Sequence, residues 1–213
     1  MLFEDPKTTH PPDIVGGRLC LDLANTLPHE EKGSDRIADY PQFLTWTAET
    51  GITTVAEAEA LRRRAEADPR ACEVALNSAR EVRKWICNLF GAIADGGEPD
   101  PQDLNALNEA LRVVRVRAEL APARVDGYEW RWRETEGNLL RPLWPVVLSA
   151  AELLASDELP SIRRCDSDRC RWLFVDRSRN GSRRWCDMRV CGNRAKVRRH
   201  YTRKKADHAN ADR

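Results

Sequence analysis

Seven cysteines are the residues of this chain best equipped for chemistry, and four of them fall into a pattern. Cys165 and Cys170 are separated by four residues, Cys186 and Cys191 again by four, and fifteen residues lie between the pairs. Each pair can form a metal-binding knuckle. Four thiolates satisfy a tetrahedral, borderline-soft cation without redox activity, so one zinc ion is expected per chain. A site with all four positions filled leaves none open for water, and a closed site of this kind is structural. An iron–sulfur cluster is the chemical rival, but the spacing follows none of the usual ferredoxin runs. Cys20, Cys72 and Cys87 stand beside apolar residues and are expected to pack as small hydrophobes. An odd cysteine count with no export signal fits a reducing cytoplasm better than a disulfide framework.

Little else is spaced for catalysis. His10, His29, His200 and His208 are isolated from one another in sequence, and no paired carboxylates stand out. Asp176 and Asp187 are expected to brace neighbouring arginines. No catalytic residue is therefore assigned, and no enzyme is expected. Asp22, Asn25 and Thr26 follow an apolar stretch and admit two readings. One is turn and cap chemistry. The other is a pocket for a small ligand, which would make the N-terminal domain a ligand-binding or enzymatic unit clamped by the metal module.

Charge divides the chain more sharply than its net of +1 suggests. From Pro160 to the end there are 17 Lys and Arg against 6 Asp and Glu, while the preceding 159 residues carry 18 against 28. A basic tail on an acidic body points to an anionic partner, nucleic acid above all. The candidate contact residues are Arg177, Arg179, Arg183 and Arg184 between the cysteine pairs, and Arg194, Lys196, Arg198, Arg199 and Arg203 beyond them. Arginine dominates, which favours bidentate contact with phosphate or guanine edges. The alternatives are a contact with RNA or an acidic protein, or docking of the tail on the chain's own acidic body. Trp172 and Trp185 flank the cysteines and are expected to cover the metal.

The run C165-D-S-D-R-C170 to C186-D-M-R-V-C191-G-N-R resembles the zinc finger of the CGNR family, named for Cys191-Gly192-Asn193-Arg194. The stretch G-R-L-C-L-D-L-A-N-T, Gly17 to Thr26, is similar to the opening of the ABATE domain that precedes this finger. The resemblance implies the four cysteine ligands and a stress-associated transcriptional regulator that binds duplex DNA through its finger. A regulator with one finger gains specificity as a homodimer, so a dimer is suspected.

Positioning such a site calls for a two-part α+β chain: a mainly helical domain over residues 1–156 with a small sheet, then a finger over 160–206. Thr54 and Glu57 form a capping box for a helix, and Asp68-Pro69 and Asp100-Pro101 each supply an N-cap with a following proline. The second of these helices runs to Ala94 and buries Cys72, Leu76, Ala79, Val82, Ile86, Leu89, Phe90 and Ile93; the third turns Leu104, Leu107 and Leu111 inward. Another helix spans Leu143 to Ala155, and Ser156 to Pro160 reads as a linker. Leu19, Leu21 and Leu23 alternate with Cys20 and Asp22 as in a half-buried strand, as do Tyr128, Trp130 and Trp132 with their neighbours, the latter pairing with Val113–Val116. In the finger, Trp172–Val175 and Arg183–Cys186 are expected to pair as a hairpin around Asn180-Gly181. A helix capped by Asn193 follows, packing Ala195, Val197 and Tyr201. The longest apolar stretch, Leu139–Leu154, is broken by Arg141, Pro142, Pro145 and Glu152, so no membrane span is expected.

Overall fold

A computed structural model describes residues 14–28, 34–123, 125–133, 137–199 and 201–202. The four histidines, Arg203 and the lysines after it lie outside the described residues. Helices α1 (Leu19–Ala24), α2 (Tyr40–Glu49), α3 (Val55–Ala67), α4 (Pro69–Ala94), α5 (Pro101–Arg115) and α6 (Trp144–Leu154) make the body. Strands β1 (Ala118–Pro122) and β2 (Tyr128–Trp132) form one antiparallel ribbon, and β3 (Ile162–Arg164) and β4 (Leu173–Val175) another. The architecture is α+β, as the sequence predicts.

Local signals set the helix ends. The Thr54–Glu57 capping box is formed reciprocally, and Asp68 and Asp100 accept the backbone N–H groups of Ala71 and Gln102 with a proline at each helix start. Helix α4 is the long central element, and Ala75, Ala79, Val82, Ile86, Leu89 and Phe90 bury one face of it. Of the trio expected inward on α5, Leu107 is buried and Leu111 half-buried against the core, whereas Leu104 is exposed.

Three strand expectations are corrected. Leu19–Ala24 is the helix α1, packed between α4 and α6, with every residue except Leu19 buried. A strand there would need a ladder partner, whereas a helix bonds internally, as in Asn25 N–H to Leu21 O at 2.9 Å. Burial all around a short segment also erases the period that distinguishes helix from strand. Val113–Arg115 ends α5, so β2 pairs instead with Ala118–Pro122, in the register Leu120 opposite Trp130. Strand β2 is not half-buried: Tyr128 through Arg131 are exposed, and Trp132 tucks in, its ring 5.8 Å from that of Trp144 on α6; on β1, Ala121 is buried.

The third correction is within the finger. Strand β4 pairs with β3, the segment before the first cysteine, in the register Ile162 opposite Val175. The return segment 183–186 is not a strand. Residues 176–184 are held by Asp176, whose buried carboxylate accepts the N–H groups of Ser178 and Arg183, each at 2.9 Å. The N–H of Arg183 is thereby taken, and the carbonyls of Arg184, Trp185 and Cys186 accept from Asp166 N–H and the Arg183 guanidinium, so the segment bonds locally instead of in a ladder.

Candidate metal centre and the face around it

Strands β3 and β4 meet at the first knuckle. Cys165 N–H donates to Trp172 O at 2.8 Å, Cys170 N–H to Ser167 O at 2.9 Å, and the chain reverses at Arg171 with φ of 59°. Asp166 N–H donates to Arg184 O at 2.8 Å, which draws the second cysteine pair against the first. The terminal helix begins earlier than expected. Its first turn is Met188–Gly192, wound as a π-helix and capped by Asp187, whose carboxylate accepts from Arg189 N–H and Val190 N–H; helical residues 193–199 continue it. Asn193 therefore lies inside the helix and Cys191 in its first turn. A Cβ at Gly192 would stand 3.0 Å from the Met188 sulfur, close enough that this side chain would have to shift by a few tenths of an ångström.

All four cysteines are buried, and their Sγ atoms lie within 4.8 Å of one another. Cys170 and Cys186 sulfurs are 3.5 Å apart, and those of Cys186 and Cys191 are 3.7 Å apart. Four sulfurs at about 2.3 Å from a tetrahedral ion stand about 3.8 Å apart, whereas a disulfide holds them at about 2.05 Å. The donor set fits one zinc ion. Hydrogen bonds from Cys170 and Cys186 pull the Cys165 thiol far below its ordinary value, and the same bonds push those two thiols up. Burial, then repulsion from Cys165, pushes Cys191 up. Four such thiolates cannot coexist without a cation. Bound there, zinc supplies cross-linking and charge neutralisation; Cys165, Cys170, Cys186 and Cys191 hold it. Trp172, Phe174, Val15 and Trp185 pack around the cysteines, so the two tryptophans cover the site as expected.

The finger is not a separate bead. Strand β4 is a wall between two cores: Leu173 and Val175 join Ile162 in the core of the helical body, while Trp172 and Phe174 line the metal cluster. Its outer edge is closed by the segment that opens the body. The Asn25 side chain accepts from Leu173 N–H at 2.9 Å and donates to Leu173 O at 2.8 Å, and Val175 N–H donates to Gly16 O at 2.9 Å. Asp22 in turn accepts from Gly16 N–H at 2.8 Å, and Gly16 has no space for a Cβ, which would lie 2.8 Å from that of Leu21. Thr26 donates to Leu23 O and accepts from the buried Arg83, which also grips Asp35 with both terminal nitrogens. Asp22, Asn25 and Thr26 thus spend their polar atoms inside the fold, building a socket for β4. A shallow open cleft lies elsewhere, bounded by Arg64, Asp68, Val74 and Leu140.

Glu158 and Asp95 complete the joint. Glu158 binds Arg18 of the body and, at 2.6 Å, Arg177 of the finger, and these guanidinium groups hold its carboxyl below the usual range. Residues 156–160 are therefore a tied corner and not a loose linker. Arg164 makes a bidentate pair with Asp95, at 2.9 and 2.8 Å, and reaches Gly91 O. Sequence reasoning missed both acids, because an isolated carboxylate in a polar turn carries no signal of a partner far along the chain.

The predicted nucleic-acid contacts divide by what they touch. Arg177 pairs with Glu158, Arg184 with Asp166 at 2.6 Å, and Arg198 with Asp168. Arg183 is a strut: its guanidinium lies 4.4 Å over the Phe174 ring and donates to the carbonyls of Trp185 and Cys186. Arg194 is half-buried. Arg179, Lys196 and Arg199 are exposed, and none forms an ion pair among the described residues. Asp187 braces Arg189 at 3.6 Å, whereas Asp176 braces loop backbone. Of the residues expected to pack inward, Ala195 is half-buried and Val197 and Tyr201 are exposed, while Arg198 reaches Asp168 and Arg199 lies 6.0 Å over the Trp185 ring.

A helical body carrying a four-cysteine finger defines a two-part zinc protein. Residues 17–157 match the model of the ABATE family, described as "Putative stress-induced transcription regulator", and residues 161–204 match the CGNR zinc finger. The chain belongs to the ABATE family and carries a CGNR zinc finger after that domain. No curated protein matches it. Among the described residues no helix is long and apolar enough to cross a membrane.

Proposed function

We propose that this zinc protein is a stress-linked transcriptional regulator, non-enzymatic and cytoplasmic, that contacts duplex DNA with the outer face of its finger. The observation that carries this reading is the terminal helix. Positions 193, 196–199 and 201–202 are all exposed, and Lys196 and Arg199 lie there without a carboxylate partner among the described residues. Arg198 and Arg184 pair with Asp168 and Asp166 at exposed positions, where ion pairs are weak and exchange readily for phosphate. Docking on the acidic body engages only Arg164 and Arg177 of the finger's cations in the ion pairs described, so intramolecular neutralisation leaves most of the charge outward. Cys191 lies in the first turn of this helix, so a zinc ion held by the four cysteines would tie that turn to the rest of the finger.

Binding of the zinc-loaded full chain to duplex DNA, followed by fluorescence anisotropy over a salt series, tests the reading. Replacing Lys196→Glu together with Arg199→Glu should weaken binding at least about tenfold at physiological salt and flatten the plot of log affinity against log salt by about two units. Zinc content should stay at one per chain. Unchanged affinity of the zinc-loaded double variant would remove this face as the contact surface, and tighter competition by RNA than by duplex would replace DNA as the ligand.

A further inference from the structure

The ribbon β1–β2 leaves one edge and one face uncovered. In an antiparallel pair, residues alternate between rungs that exchange hydrogen bonds and rungs whose N–H and C=O groups point outward. Arg133 N–H donates to Arg117 O at 2.8 Å and Ala123 N–H to Gly127 O at 3.0 Å, so the bonded rungs fall at odd-numbered residues in the observed register. The backbone groups of Tyr128, Trp130 and Trp132 therefore face the outer edge of β2, with no hydrogen-bond partner among the described residues. The outer edge of β1 is blunted by Pro122, which has no N–H to offer. The open edge is that of β2.

Strand β2 reads Tyr-Glu-Trp-Arg-Trp, which is self-complementary about its centre. A second copy laid antiparallel with Trp130 opposite the partner's Trp130 matches outward-facing groups on every even residue. It also sets Glu129 opposite the partner's Arg131, and Arg131 opposite the partner's Glu129. A slip of two residues either way keeps the hydrogen-bond parity but opposes Glu129 to itself or Arg131 to itself. A slip of one opposes outward groups to inward ones. Only the central register satisfies backbone and charge together. It also joins the exposed apolar face of Leu120, Tyr128 and Trp130, which are 63%, 71% and 50% exposed, to its copy across the axis. The ribbon is anchored for this at its base by Trp132 on Trp144.

We propose that the protein forms a two-fold dimer by antiparallel pairing of β2 with β2, centred on Trp130. The proposal does not rest on DNA binding. Sedimentation velocity of the zinc-loaded full chain at micromolar concentration should show a dimer. Glu129→Arg sets two arginines opposite each other on both sides of the axis, and Arg131→Glu does the same with glutamates. Each single variant should dimerise at least about tenfold more weakly. Both side chains are about half exposed, so the fold should hold, and circular dichroism and zinc content confirm that it does. Two arms then fix the register: the double variant Glu129→Arg with Arg131→Glu regains the dimer, and an equimolar mixture of the two single variants forms a heterodimer. A monomeric parent overturns the proposal. So do single variants that dimerise as the parent does, or weakened singles that neither the double variant nor the mixture restores.

Discussion

The two ribbons of this chain invert what their sequences suggest. Strands β1 and β2 carry Leu120, Tyr128, Trp130 and Trp132, yet most of that surface faces water. Strand β3 is Ile-Arg-Arg and β4 only three residues long, yet β4 is buried throughout. A two-stranded ribbon is marginal by itself, and what surrounds it decides its fate. Helical core lies on one face of β4, the cysteine cluster on the other, and Asn25 and Gly16 close its edge. Nothing described closes β2. A buried edge and an open edge are thus two solutions to the same problem of unpaired backbone groups, one internal and one left for a second chain.

The comparison breaks most directly by removing the metal. Chelation strips one of the two walls of β4, so the finger should unfold and the melting midpoint of the whole chain, followed by helical circular dichroism, should drop by about 10 °C, the shift produced by roughly 4 kcal/mol at this size. A helical transition that ignores the chelator would show that β4 needs no second wall. The next largest effect belongs to the edge: Asn25→Ala leaves the N–H and C=O of Leu173 buried without partners and should cost about 3 kcal/mol in denaturant unfolding. A loss under about 1 kcal/mol would mean that another group closes the edge.

Asp22 offers a pH test of the same socket. Burial pushes its carboxyl up to about 7, against about 3.8 in the open chain, with the N–H groups of Gly16 and Val15 opposing the rise. Between those values the folded state holds a proton that the unfolded chain releases, so this group's contribution is full below about 4 and is lost as pH rises through 7. Asp22→Asn keeps an oxygen for Gly16 and should raise stability by about 2 kcal/mol at pH above 7, the gain shrinking toward pH 4. A gain equal at both ends of that range would show that the carboxyl is not neutralised by burial. The smallest effect is expected on the exposed ribbon. Trp130→Ser, placed in the Glu129→Arg background to remove association, should change unfolding free energy by no more than about 0.5 kcal/mol. A larger loss would mean that the ribbon contributes to its own chain's core.

Much of the helical body was legible because helix ends are decided locally. Thr54 with Glu57, and aspartate before Pro69 and Pro101, act within one turn, and reading them needs no knowledge of the rest of the chain. The four cysteines were legible for a similar reason, since knuckle spacing is a short-range constraint. What stayed hidden was pairing at a distance. Whether β4 meets 162–164 or 183–186 depends on Asp176 closing the intervening loop, and both segments are equally near in sequence. Helix α1 was misread because burial on all sides leaves no period. Glu158 and Asp95, and the amide of Asn25, act on partners whose identity only the fold supplies.

The bond between Asn25 and Leu173 spans 148 residues. The groove that receives β4 is lined by α1 and α4 and is complete only once Ala94 has been made, so at about 5–20 residues per second of synthesis it stands open for roughly 4–16 s before its occupant exists. Through that interval the apolar surface that Ile162, Leu173 and Val175 will cover is exposed, along with the unpaired amide. Nascent chains should therefore be most open to chaperone capture and proteolysis late in their synthesis, and a cell short of zinc extends that vulnerable period beyond translation itself.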